Sequence, residues 1–231
     1  MMLVQRATAS KPSRDREGAN RAAKLLAFWI LLSGLAAAQP TVEIDNQWVH
    51  VVREIQAPHE RTQLRQHPPT VMVYLTDAHE RMTGEDGRTR DVIHKKGDTA
   101  YFEAASYAEE NLSDQPLEAA VIELKPARIN SAPVKLDPVK LDPKYHTVDF
   151  ENDRVRILRT VLEPHIKSPL HEHPAYVVVY LTVLHTTMKM ADGRLVDNPR
   201  KPGEIAWRDP LKHETENIGD HTAMEIQVEL K

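Results

Sequence analysis

Cysteine is absent from all 231 residues. Its absence excludes disulfide scaffolds, thiolate zinc ribbons, cysteine nucleophiles and iron–sulfur clusters. A basic surplus is missing as well, because 30 Lys and Arg stand against 34 Asp and Glu. The first 38 residues, which read as a leader, hold six of those basic and two of those acidic residues. The remainder therefore carries 24 basic against 32 acidic residues, a net charge of −8 with histidine neutral. Phosphate neutralisation needs Lys and Arg in excess, so nucleic acid is not an expected partner. Also lacking are a G-x-S-x-G elbow, a phosphate-binding loop and a dinucleotide fingerprint. Beyond the leader no stretch keeps a 3.6-residue apolar period, so helices are not expected to build the core. What is present is 41% hydrophobic residues, enough for a packed core, and 12 histidines.

The leader is the one long apolar run. Arg14, Arg16, Arg21 and Lys24 precede Leu25–Ala38, which ends in three alanines before Gln39-Pro40. A basic region, an apolar stretch and a small-residue site read as a signal peptide over 1–38, cleaved after Ala38. Fourteen residues at 1.5 Å rise span roughly 21 Å, short of the ~30 Å hydrocarbon core, so a stable membrane anchor is not expected. Without cysteine there is no lipoprotein anchor either. The expectation is an exported protein, periplasmic or secreted, as a monomer or homodimer.

Sliding the chain on itself by 106 residues aligns 42–125 with 148–231 without a gap, with 29 identities in 84 positions. VMVYLT (71–76) matches VVVYLT (177–182), Pro58-His59 matches Pro164-His165, and both copies close on Glu-Leu-Lys. The chain is two copies of one unit. Each unit reads as β: short β-branched runs recur every 8–12 residues, and Asp86-Gly87 and Asp192-Gly193 mark hairpin turns. Units of this size predict a small sandwich or jelly-roll barrel, one over 39–125 and one over 146–231. Between them, 126–145 is rich in proline and repeats Val-Lys-Leu-Asp-Pro, which predicts an extended, semi-rigid spacer; the duplication reads as a scar without a role.

In the second unit His171 and His173 stand two apart just before the Val177 run. On a strand such residues share a face, and a neighbouring strand carrying His213 would bring a third imidazole to the same centre. Three neutral imidazoles bind a divalent transition metal and leave positions open for chemistry.

His171-x-His173 and the later Gly203…Pro210…His213-x-x-x-Asn217 resemble the two motifs of the cupin superfamily, and the resemblance spans both units. It implies a bicupin of two tandem β-barrels, with His171, His173 and His213 as metal ligands in the second. The family's glutamate would fall at 177 or 178, and both are valine here; Asp209-Pro210-Leu211 replaces the family's Pro-x-Gly. The first unit carries Arg65, His67 and Tyr107 at the equivalents of the three histidines, a degenerate site. An arginine stays protonated and cannot ligate, so the first barrel is expected to be free of metal.

The resulting expectation is one divalent metal ion, iron or copper favoured over zinc, manganese or nickel. The chemistry would be oxidative and act on a small organic or carbohydrate-derived substrate. Binding without catalysis, or non-redox chemistry with zinc or manganese, are the alternatives. Tyr176, Tyr180, Trp207 and Glu214 are candidates for the substrate pocket, and no catalytic residue can be named beyond the ligands.

Overall fold

The computed structural model describes residues 40–129 and 133–231, so the leader and its cleavage site lie outside the described residues. Eighteen strands and one helical turn make up the described residues. The first unit contains β1 (Thr41–Asp45), β2 (Val49–Gln56), β3 (Arg65–His67), β4 (Thr70–Tyr74), β5 (Ala78–Gly84), β6 (Thr89–His94), β7 (Thr99–Phe102), β8 (Ala105–Asn111) and β9 (Leu117–Leu124). After α1 (Pro138–Leu141), the second contains β10 (His146–Glu151), β11 (Val155–Leu162), β12 (Lys167–His173), β13 (Tyr176–Tyr180), β14 (Leu184–Met190), β15 (Leu195–Arg200), β16 (Ile205–Arg208), β17 (Leu211–Asn217) and β18 (Ala223–Leu230).

Each unit is a barrel of two antiparallel sheets. In the first the strand orders are β1-β2-β9-β4-β7 and β3-β8-β5-β6, and the second repeats both with every strand nine places on. The repeat extends to irregularities, since β1 slips register between Val42 and Ile44 and β10 between Val148 and Phe150. Two tandem cupin-type barrels, as the sequence implies, are what the chain forms.

The apolar runs VMVY and VVVY do not alternate with polar residues because β4 and β13 are buried on both faces. Val71 and Val73 face Val177 and Val179 across the boundary between the barrels, in one core that also takes Ile122, Ile157, Ile226 and Val228. Their neighbours Met72 and Tyr74, and Val178 and Tyr180, turn into the interiors of their own barrels. Fully burying one such valine is worth roughly 1.5–3 kcal/mol, so the shared core binds the two units into one body. Trp48 stacks on Trp207 at 5.3 Å and Tyr101 on Phe150 at 4.9 Å, each pair joining one barrel to the other.

From residue 133 on, the proline-rich segment is not the extended spacer expected from its composition. Asp137 caps α1 by accepting from the Val139 amide, and Pro138 sits in the first turn, where a missing N–H costs nothing. The segment folds back on β12: the Glu172 carboxylate accepts from the Lys135 amide at 2.8 Å, and the Glu172 amide donates to the Leu136 carbonyl at 2.8 Å.

Candidate metal centre

His171 and His173 project to one face of β12, and His213 on β17 stands directly across from His171 in the ladder. Between Ser168 and His171 the pairing slips, and Pro169, which has no N–H for a ladder, occupies the slip. Its freed carbonyl takes the His171 Nδ1 proton at 2.7 Å. The His173 Nδ1 meets Glu229 Oε1 at 2.7 Å, and the His213 Nδ1 meets Thr215 Oγ1 at 3.0 Å. Carbonyl and carboxylate oxygens only accept, so His171 and His173 are protonated on Nδ1 and carry their lone pairs on Nε2.

The three side chains offer one ligand atom each, all within 4.8 Å of one another, and all three residues are buried. Nε2 of His173 and of His213 are buried and have no protein partner. Buried lone pairs aimed at one point, each backed through the other ring nitrogen, are what a resident metal ion requires. Burial pushes the His213 imidazole down to about 2, helped by the facing imidazoles, and holds His171 and His173 below their ordinary value. All three are therefore neutral at physiological pH, the form that ligates. Val177 lies in the core between the barrels and Val178 in the barrel interior, so no carboxylate comes from the family's glutamate position.

A cavity of about 30 Å³ adjoins the histidines, lined among others by His146, Tyr176, Tyr180, Arg208 and Glu225. Of the four residues named from the sequence as pocket candidates, Tyr176 and Tyr180 line this cavity. Trp207 and Glu214 do not. Strand alternation turns Trp207 away from the interior, onto Trp48 of the first barrel, while its neighbour Arg208 faces the cavity. In the same way Glu214, next to His213, points outward and pairs with Lys167 at 2.8 Å.

Arg208, Glu225 and His146 were not singled out from the sequence. Arg208 donates to Tyr180 Oη at 3.1 Å and to Asn198 Oδ1 at 3.2 Å. Enclosure in the barrel pushes the Glu225 carboxyl up to about 7, and its Oε1 accepts from Gln227 at 2.7 Å. His146 at the start of β10 is buried, its ring 5.2 Å from that of His171 and its Nδ1 without a hydrogen-bond partner. Alternation along Ile205–Arg208 was a usable signal for Arg208; nothing in the local sequence pointed to His146, whose repeat mate is Pro40.

Among the described residues the first barrel has no such centre. Arg65 stands across from Tyr107, as His171 does from His213. His67 stacks flat on Tyr107 at 3.8 Å and gives its Nε2 to the Tyr107 carbonyl at 3.2 Å. Where the second barrel has Thr160, Thr186 and Thr215, the first has Glu54, Glu80 and Glu109. Burial, then the repulsion of the other two, pushes Glu109 up to about 8. Asn111 and Asn217 are structural in both barrels, each donating from Nδ2 to three backbone carbonyls at the strand ends.

No family model matches the sequence, and no curated protein matches it. Solved structures do match in fold. The chain is similar to AerE from Microcystis aeruginosa, with a TM-score of 0.59 and 11% identity over 83% of this chain and 97% of that one. It is similar to Bacillus subtilis oxalate decarboxylase, with a TM-score of 0.56 and 14% identity over 80% of this chain and 69% of that one. A Lactobacillus farciminis oxalate decarboxylase in complex with formate gives 0.55 and 12%, over 80% and 77%. The architecture of this chain is that of the two-domain cupins.

Proposed function

We propose that the protein is an exported, metal-dependent oxidoreductase that acts on a small anionic organic or carbohydrate-derived substrate in its second barrel. The observation that carries this reading is the cavity set directly beside three converging, buried imidazoles. A storage or purely structural ion needs no such chamber, whereas a reactive site keeps an open position for its substrate. His171, His173 and His213 would hold one divalent ion, iron or copper by preference. Such an ion supplies Lewis acidity and one-electron chemistry when bound.

The chain's own residues define what enters. Arg208 brings a guanidinium to the cavity wall, suited to a carboxylate or similar anion. Tyr180 and Asn198 fix its plane, and Tyr176 bounds the space beside His173. Glu225, with its raised affinity for a proton, can hold or give one inside the chamber at neutral pH. The solved oxalate decarboxylases, one described in terms of proton-coupled electron transfer and one in complex with formate, support the view that this scaffold suits chemistry on small acids.

Metal content by mass spectrometry on tag-free mature protein tests the reading, together with oxygen uptake over a panel of small organic and sugar acids. One equivalent of iron or copper with acid-dependent oxygen uptake supports it. Zinc alone without oxygen uptake would favour non-redox chemistry, and no metal even after reconstitution would sink the enzyme reading.

A further inference from the structure

We propose that the segment joining the barrels is a working part of the metal centre. Asp137 is a positioning residue that acts through Arg156 and Glu229 to hold the His173 imidazole with its Nε2 lone pair toward the metal.

Four side chains form a continuous chain from the linker to the ligand. Asp137 Oδ2 accepts from Arg156 Nη1 at 3.0 Å, Glu229 Oε2 accepts from Arg156 Nε at 2.7 Å, and Glu229 Oε1 accepts from His173 Nδ1 at 2.7 Å. Exposure falls along it, from 13% and 12% at the side chains of Asp137 and Arg156 to 2% at Glu229 and 0% at His173. Each member fixes the next. A guanidinium clamped on two sides presents a fork of fixed direction, and a carboxylate held by that fork has one oxygen left for the imidazole. An imidazole that must donate from Nδ1 has its lone pair on Nε2.

The first barrel serves as an internal control, because it has the ends of this chain without its middle. Its repeat mates of His173 and Glu229 are His67 and Glu123, but His50 replaces Arg156 and Leu31 stands at the position of Asp137. There Glu123 pairs with Arg65 at 3.6 Å. His67, lacking the carboxylate, lies on Tyr107 and spends its Nε2 on a backbone carbonyl. The same strand positions with and without the brace thus give a free Nε2 and a consumed one.

The duplicated Val-Lys-Leu-Asp-Pro, which reads as a scar in the sequence, thereby gains a role. Its first copy carries Asp137, bound to Arg156, and its second Asp142, whose Oδ2 lies 4.0 Å from His146 Nδ1. Both copies thus bring a carboxylate to the second barrel, Asp137 onto Arg156 and Asp142 near His146.

The inference rests on the three histidines being a metal site, and the test separates the two ideas. Mature wild-type protein, Asp137→Asn and Asp137→Glu would be stripped of metal and titrated with cobalt(II), followed by its visible absorption. Histidine-selective nitrogen NMR of the same metal-free proteins would report the tautomer of His173. Wild type should bind one cobalt and hold His173 as the Nδ1–H tautomer. Asp137→Asn should weaken cobalt about 10–100-fold, shift the absorption band and mix the tautomers, with partial rescue in Asp137→Glu. If Asp137→Asn does not fold, Arg156→Lys, which keeps the charge but not the fork, carries the same readouts. Unchanged affinity and tautomer would overturn the proposal, as would weaker binding with the tautomer and band unmoved. A wild type that binds no cobalt would instead overturn the metal site itself.

Discussion

Arg53 and Arg159 stand 106 residues apart, and each reaches across to the other barrel to donate to a turn carbonyl, Arg53 to Gly203 and Arg159 to Gly97. The two glycines are repeat mates as well, both with positive φ, +89° at Gly97 and +81° at Gly203. The interface therefore has the reciprocity of a two-fold dimer, built within one chain.

Breaking one arm of this exchange should loosen both barrels together. Arg159→Met removes the bond to Gly97 and the 2.6 Å pair with Asp149, and should cost about 1–3 kcal/mol in urea unfolding. The transition should remain single when followed by fluorescence and by circular dichroism. For the same reason a fragment of 146–231 should associate or precipitate, because it bares Val155, Ile157, Val177, Val179, Ile226 and Val228. A monomeric, cooperatively folded fragment by sedimentation would contradict the shared core.

Metal binding should distinguish the two barrels sharply. His213→Ala removes one of three converging ligands and should weaken cobalt or zinc by more than the roughly 10–100-fold typical of losing an outer partner. The substitution His67→Ala, at the mate of His173, should leave stoichiometry and affinity unchanged, since its Nε2 is already bound to the Tyr107 carbonyl. Calorimetric titration of the metal-free proteins reads both.

The first barrel should make stability fall as pH rises. Glu109 titrates near 4.5 when unfolded and at about 8 in the barrel, so between these values only the folded form keeps the proton. Its stabilising contribution is complete below 4.5 and is lost as pH rises toward 8, at up to about 1.4 kcal/mol per pH unit. The buried imidazoles act in the opposite sense but below 6.5, because His146 and His213 are lowered to about 4 and 2. Urea midpoints between pH 7 and 8 read this slope, to which Glu80 and Glu225, both raised to about 7, add mainly at the lower end. Glu109→Gln should flatten that slope, and an unchanged slope would remove Glu109 as its source.

Much of the molecule can be read from residue order because its information is periodic. A gapless offset of 106 residues is visible in any strand of the chain, and it carries architecture, strand order and even the slips at Val42 and Val148. The spacing of His171 and His173 works for the same reason, since strand alternation is local. Trp207 and Glu214 show how the same rule corrects an overreach. Each sits next to an inward residue, Arg208 or His213, and alternation alone sends it outward.

Other features have no local signature. His146 reaches the cavity from the first strand of its barrel, far from the motifs, and its mate Pro40 says nothing of it. The linker reads as extended because proline restricts its backbone, yet Asp137 finds Arg156, and Glu172 binds Lys135 from a strand 37 residues on. The sequence by itself determined the repeat, the β class and the imidazoles that can meet, since these depend on spacing along one strand or between copies. Only the tertiary structure decided which charged side chains close on the site, because Arg156, Glu229 and Arg208 acquire partners by packing between elements that no periodicity links.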